Sequence, residues 1–311
     1  DPPTNLVAAR RLVDADNVFG LIESSTAASG SAAFLHGLNI PVTGASLETP
    51  WSTDRNMFSY STLISNGASV STWGDFIAAH GGHTAVIASA RFSATSMTIA
   101  REMAASLRSA GIQVVGTVDL TSPIDDGKIG REIKATGADV LVGAVTGASF
   151  GQAIAGARGE GAHLKVILSP TGYDQSLLTL FGKTFAGVYL FVDFLPFEED
   201  PATHQAFLNA MATYSPQTQA PSGQAALSGW ISADMFLRGL AAAGPCPTRE
   251  GFISGLRSVR DYDAGGLLPE PLNLTTSFGQ ISRCYTFLQV AADGSKFVVV
   301  PPAPRCGSKL G

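Results

Sequence analysis

A chain of 311 residues with 20 basic and 25 acidic side chains, a net charge of −5 and no basic stripe is a poor electrostatic match for nucleic acid, leaving small molecules or proteins as partners. Its 45% hydrophobic and 14% charged composition excludes disordered and coiled classes and fits about two domains, each with its own core. No apolar run reaches the roughly 18 residues that a membrane span needs.

The chain opens inside a pattern rather than with a secretory leader: Asp1-Pro2-Pro3-Thr4 before Leu6, Val7, Leu12 and Val13 predicts a capped helix with proline in its first turn. Residues 18–22 then read as a buried strand running into Ser24, Ser25 and Thr26. An apolar-periodic helix follows through Ala27, Ala28, Ala32, Ala33, Leu35 and Leu38, then a strand over 40–43 that ends in Gly44-Ala45-Ser46. This is a βαβ unit with two polar tips on the same edge of a parallel sheet. Ligands bind outside the carboxyl ends of such strands, where hydroxyls and free helix N–H groups can grip an anion or a polar head group.

Residues 51–63 read as a loop and short strand connecting two lobes, and 66–79 as a helix with Val70, Trp73, Phe76 and Ile77 on one face. Strands at 84–88, 112–118, 139–145 and 165–168 alternate with helices at 96–110, 124–135 and 151–159, which predicts a second parallel sheet covered on both faces. An apolar strand follows over 189–197, then helices near 201–214, 225–243 and 248–256 with no strand between them. Helices without new strands suit a return to the first lobe. The expected division is 1–61 plus 197–275 for lobe 1 and 62–193 plus 280–311 for lobe 2, with crossings near 60–64, 191–197 and 273–281 forming a hinge above a cleft.

Three cysteines, Cys246, Cys284 and Cys306, are too few for a zinc site and lack its spacing. Cys284 and Cys306 flank two alternating runs, 285–290 and 297–300, separated by Asp293-Gly294, and a hairpin at that Asp-Gly would bring them together. The expected disulfide implies an oxidising compartment; the alternative is two buried thiols. Cys246 is left over in a loop between two prolines.

The opening helix NLVAARRLVDADNV, the tip GLIESSTAAS, GLNIPVTGASLETP, DVLVGAVTGASFGQAIAGARGEG, LSPTG and the helix PSGQAALSGWISADMFLRGLAAAG together resemble type I periplasmic binding proteins, specifically the branched-chain amino acid binding branch of ABC transporter receptors. The resemblance covers nearly the whole chain in order. It implies a two-lobe α/β fold with parallel sheets flanked by helices and a three-crossing hinge. Against the family pattern the first strands of lobe 1 are expected to be absent, by about two βα units of roughly 30 residues. It further implies a receptor, secreted to the periplasm or cell exterior or lipid-anchored at the surface, that captures one small molecule in the interlobe cleft and presents it to a membrane permease. We expect a monomer, no nucleic acid, no metal and no cofactor.

Ser24, Ser25 and Thr26 either cap the following helix or, as the resemblance implies, bind the ligand's carboxylate; Ala45 and Ser46 either complete that cradle or form a plain loop. In lobe 2 the resemblance places an aromatic cover at Phe92, beside Ser93, and further contacts at Thr146, Thr171 and Tyr173; the alternative for Phe92 is an ordinary core or surface aromatic. The amino acid binders carry a glutamate after the proline of LSPTG to receive the ligand's ammonium; here that residue is Thr171. The expected ligand is therefore a carboxylate or amide and not a free α-amino acid, because a buried ammonium without a charged partner is costly. Trp230 reads as a helix-interface residue. A ligand-sensing domain that regulates a partner is the alternative, since the same fold serves both. A serine hydrolase is a remote one: Gly147-Ala148-Ser149-Phe150-Gly151 matches G-x-S-x-G, but His80-Gly81-Gly82 precedes its strand, at the sheet edge opposite Ser149, and reads as a glycine helix stop.

Overall fold

The computed structural model describes residues 1–65, 67–200, 202–218 and 220–311. The chain forms two compact units, Asp1–Gly67 with Ala225–Ser282 and Ala68–Gln224 with Arg283–Gly311. In chain order the first unit supplies α1 (Pro2–Arg10), β1 (Leu21–Glu23), α2 (Ser29–Gly37), β2 (Val42–Gly44), the short α3 (Pro50–Thr53) and β3 (Met57–Phe58). The second supplies β4 (Ser69–Val70), α4 (Thr72–Ala79), β5 (Thr84–Ser89), α5 (Ala94–Ser109), β6 (Gln113–Asp119), α6 (Asp126–Ala135), β7 (Val140–Gly143), α7 (Gly147–Gly159), β8 (Val166–Ser169), α8 (Gln175–Phe181), β9 (Tyr189–Val192) and α9 (Gln205–Tyr214). The chain returns through α10 (Gln224–Ala243) and α11 (Arg249–Arg257), then ends in β10 (Cys284–Val290), β11 (Phe297–Cys306) and β12 (Lys309–Leu310).

In the first unit α1 starts as its sequence dictates: the Asp1 carboxylate accepts from the Thr4 N–H at 2.9 Å, and proline fills the first turn, where its missing N–H costs nothing. The three parallel strands run β1-β2-β3, with Leu21 opposite Val42 and Val42 opposite Met57. Ala9, Val13, Ala28, Ala32, Leu35, Ile40, Trp51 and Met57 close the core. β1 begins at Leu21 rather than near residue 18, because the Arg249 guanidinium takes the Val18 and Phe19 carbonyls at 2.9 and 3.1 Å. Those carbonyls are spent on a side chain instead of a ladder.

The second unit holds a seven-stranded sheet in the order β11-β10-β9-β8-β7-β5-β6. β5 to β9 are mutually parallel, and the β10–β11 hairpin adds on antiparallel to β9. Its turn carries Asp293-Gly294, with Gly294 at φ 76°, and Cys284 and Cys306 are bonded at the open end. Cys246 is free and exposed.

Further expectations need correction. The 66–79 helix begins only at Thr72; Ser69 and Val70 instead form β4, which pairs with β12, and Asn66 lies outside the described residues. The segment after residue 197 stays with the second unit as far as Gln224, so the division falls at 224/225 and not within 191–197. The reason is a set of anchors on Tyr173: its hydroxyl donates to Glu198 Oε2 at 2.6 Å and accepts from the Phe197 N–H at 2.9 Å, and its carbonyl accepts from the Gln224 N–H at 2.8 Å. The expected start of the 201–214 helix, Pro201, lies outside the described residues; α9 begins at Gln205.

At the amino ends of the strands Asp139 stitches three of them together. Its Oδ1 accepts from the His83 and Thr84 N–H groups at 3.0 and 2.8 Å, and Oδ2 pairs with Lys165 at 3.2 Å. Burial pushes the carboxyl up, but the two backbone N–H groups and Lys165 outweigh it and bring it down to about 2. A carboxyl depressed in the folded state stabilises above its unfolded value, and that stabilisation is lost as pH falls from about 4 through about 2. Asp139→Asn is expected to lower unfolding free energy at neutral pH by about 2 kcal/mol and to flatten the acid limb of stability. Urea titrations at pH 7 and at low pH check this; an unchanged acid limb would count against it.

Candidate functional site

Both units place hydroxyl-bearing residues at strand carboxyl ends. In the first, Glu23 ends β1, and Ser24, Ser25 and Thr26 follow. Ser24 and Thr26 are exposed and Ser25 is half-buried. Ser25 Oγ accepts from the Ala27 N–H at 3.0 Å in a turn ahead of α2, whose N-cap position is Ala28, so Ser25 does not cap that helix. β2 ends at Gly44, the Ala45 N–H donates to the Glu23 carbonyl at 3.2 Å, and the Ser46 N–H donates to Ser59 Oγ at 3.2 Å. Ser46 is buried, and its Oγ has no hydrogen-bond partner among the described residues.

Two carboxylates that the motif reading missed sit at this edge. Glu48 accepts from the Ser29 N–H at 2.8 Å and from Ser29 Oγ at 3.0 Å, so it holds the start of α2. Glu23 accepts from Asn5 Nδ2 at 2.7 Å. Burial pushes the Glu23 carboxyl up, the Asn5 bond opposes that, and the nearby Glu48 adds to it. Some of the amides expected to grip an anion are thus already taken by Ser25 and Glu48. The signal for Glu48 was available, as an acidic residue beside the GAS tip, but not its distance of 19 residues from the helix it caps.

In the second unit β5, β7 and β8 are neighbours, so their ends lie on one sheet edge. Phe92 follows β5, is 78% exposed and carries the Arg91 guanidinium 4.7 Å from its ring centre; Arg91 also pairs with Asp119 at 3.0 Å. Ser93 Oγ caps α5 through the Ser96 N–H. Thr146 is exposed and caps α7 through the Ser149 N–H at 3.4 Å. Thr171 Oγ1 donates to the Val145 carbonyl at 2.8 Å and so ties the β8 tip to the β7 tip. The structure therefore brings Phe92, Ser93, Thr146 and Thr171 to one rim. Asp174 is committed elsewhere: its Oδ1 accepts from the Ser176 N–H at 2.8 Å and caps α8.

Tyr173 departs from the expected pocket wall. It is 2% exposed, packs among Phe194, Phe197 and Phe297, and spends its hydroxyl on Glu198 and Phe197. Burial and the Glu198 carboxylate push its phenol far up. Gly172, at φ 111°, turns the chain inward just before it. Trp230 lies half-buried on α10. Ser149 Oγ accepts from Thr146 Oγ1 at 3.1 Å, while the His80 and His204 rings bond to backbone carbonyls and His36 to Asn56. No group of three or more His, Cys, Asp or Glu among the described residues could hold a metal ion, and no helix among them is long and apolar enough to cross a membrane.

The family model for periplasmic binding proteins matches residues 1–295. A search of curated proteins returned no match. Among solved structures, a branched-chain amino acid ABC transporter protein from Thermus thermophilus with bound valine superposes with a TM-score of 0.83 at 15% identity, covering 99% of this chain and 83% of that one. A solute binding protein of an ABC transporter from R. palustris in complex with benzoate gives 0.78 at 17% identity, with 99% and 84% covered. A leucine binding protein from Thermotoga maritima gives 0.75 at 16%, with 97% and 85% covered. At these identities the likeness speaks to the fold.

Proposed function

Because the chain belongs to the type I periplasmic binding protein family, we propose that it is the solute receptor of an ABC importer, acting outside the cytoplasm, and that its ligand is a small carboxylate or amide rather than a free α-amino acid. The observation that carries the ligand class is the state of the β8 tip. Thr171 stands where the amino acid binders have a glutamate, its hydroxyl is tied to the Val145 carbonyl, and Asp174 is consumed as a helix cap. Among the described residues no free carboxylate is left at that tip to receive an ammonium group, whose burial without a charged partner costs several kcal/mol. Exposed Phe92 and the Arg91 cation beside it favour an aromatic or anionic solute instead. That one structural neighbour holds benzoate supports this reading; that another holds valine defines the competing one.

On this proposal each unit contributes its own strand-end groups, and the solute is handed to a membrane permease without covalent chemistry. Isothermal calorimetry with benzoate, benzamide, phenylacetate, valine and leucine tests it. Binding of an aromatic acid or amide at least about tenfold tighter than valine or leucine is expected, with losses in both Ser46→Ala and Thr171→Ala. Micromolar valine or leucine would return the protein to the amino acid binders.

A further inference from the structure

The chain crosses into the second unit twice, at Ala68 and again at Arg283, and residues 307–310 grip it at both places. Lys309 and Leu310 pair antiparallel with Val70 and Ser69. The Ser71 N–H donates to the Ser308 carbonyl at 2.9 Å, and the Ser308 N–H donates to Ser71 Oγ at 3.0 Å. At the second crossing the Arg283 carbonyl accepts from the Gly307 N–H at 3.0 Å and from Thr72 Oγ1 at 2.7 Å. Gly307 passes so close to the start of α4 that a Cβ built on it would lie 2.6 Å from the Thr72 nitrogen. Yet the segment is weakly held on its own account. Ser308 and Lys309 are exposed, and a pair of two-residue strands is marginal in water. Nor does the β10–β11 ladder deliver it, because the register jumps from Phe287–Val300 to Tyr285–Arg305. Residues 301–304 stand against Thr286 alone, and Pro301, Pro302 and Pro304 have no N–H to donate. The bond between Cys284, next to Arg283, and Cys306, next to Gly307, closes the ladder beyond that gap.

We propose that residues 307–310 are a strap over both crossings, that the Cys284–Cys306 disulfide is its lock, and that reducing this bond frees the strap while the seven-stranded sheet stays folded. The bond keeps the strap at high effective concentration beside its partners. Without it the strap relies on a few hydrogen bonds that compete with water and contribute little net. The lock can be reached: Cys306 is exposed and Cys284 half-buried, so a thiolate can attack the Cys306 sulfur. With a dithiol, the incoming sulfur bonds to Cys306 Sγ as the protein disulfide breaks, and Cys284 leaves as a thiolate and takes a proton. The reagent's second thiolate then displaces Cys306 and closes a cyclic disulfide. Two electrons have passed from the dithiol to the protein, which ends with two thiols. Segments that join two units absorb the dihedral changes of hinge motion, so a closed lock stiffens the second-unit ends of two crossings and an open lock loosens them. In an oxidising compartment the lock stays closed.

Amide hydrogen exchange on the full chain, with and without dithiothreitol, tests the strap and its lock together. The Ser71 N–H reports the strap, since it donates to Ser308; the amides of β5, β7 and β8 report the sheet. After reduction Ser71 should exchange at least about tenfold faster than in the oxidised chain, at a rate that low urea does not change, which marks local opening. The sheet amides should remain the slower set and should accelerate with urea, as exchange through global unfolding does. Gly307→Ala keeps the disulfide but drives a methyl group into the start of α4, and it should give the same local signature at Ser71. An unchanged Ser71 rate after reduction overturns the lock, and an unchanged rate in Gly307→Ala overturns the strap. If Ser71 instead follows the sheet amides in urea, or the reduced chain loses sheet protection altogether, the disulfide acts only on global stability and the proposal fails.

Discussion

Arg257→Ala should destabilise the protein by about 4 kcal/mol. Arg257 is 8% exposed at the end of α11. Its Nη2 donates to the Met57 and Arg55 carbonyls at 2.6 and 3.0 Å, and its Nε donates to the Arg55 carbonyl at 3.1 Å. The Phe58 and Phe278 rings lie 4.0 and 4.3 Å from its guanidinium carbon. Burial, with a smaller push from Arg55, lowers the group to about 9, which leaves it charged at neutral pH. No carboxylate pairs with it among the contacts described; carbonyls and ring faces hold the charge instead. Truncation would leave two carbonyls beside β3 without their donor and open a gap between two aromatic rings. Arg257→Lys should recover less than half of the loss, because an ammonium cannot reproduce the planar fork. Urea denaturation followed by tryptophan fluorescence measures both; a loss below about 1 kcal/mol for the alanine variant would show the charge is not needed.

Much of the fold was legible because its signals are local. The Asp1 cap, the small-residue tips after β1 and β2, the alternation of strands and helices from β5 to β8, and the Asp293-Gly294 hairpin between two cysteines are written in adjacent residues. What escaped was set by partners far along the chain. The start of β1 depends on Arg249, about 230 residues away in sequence. The lobe assignment of residues 197–224 depends on Tyr173, a residue read as a ligand contact because it follows a strand tip. Position after a strand places a residue on the rim, but a glycine at positive φ decides which way the next side chain turns. The hydroxyls at Ser25, Thr146 and Thr171 were recognised by type, yet sequence could not say which were already bonded within the chain. The oxygen of Ser46, another expected contact, is buried with no partner among the described residues. Arg257 was invisible to pattern, and so was what Glu48 holds, for a common reason: charged residues are expected outside, and only the fold shows their partners.

Gly44→Ala should cost about 3 kcal/mol, although it adds a single methyl group to a strand of three residues. Gly44 sits opposite Glu23 in the β1–β2 ladder, and a Cβ built on it would collide with the Glu23 carbonyl and lie 2.7 Å from Trp51 Cη2. Neither can yield cheaply. The carbonyl is backbone and accepts from the Ala45 N–H at 3.2 Å, and Trp51 is 3% exposed within the core of the first unit. The strands must part at the end where Glu23 and Ser46 stand, so the loss of stability should come with displacement of the Ser46 backbone from Ser59. Gly37→Ala in the last turn of α2 supplies the contrast: nothing lies within 4 Å of its Cβ and its φ is not positive. Alanine there should be neutral or stabilising by up to about 1 kcal/mol. If both variants unfold at the same urea concentration as the wild type, the close approach at Gly44 is not a constraint; a loss at Gly44 alone, with amide exchange rising at Ala45 and Ser46, ties glycine at that position to the geometry of the first-unit rim.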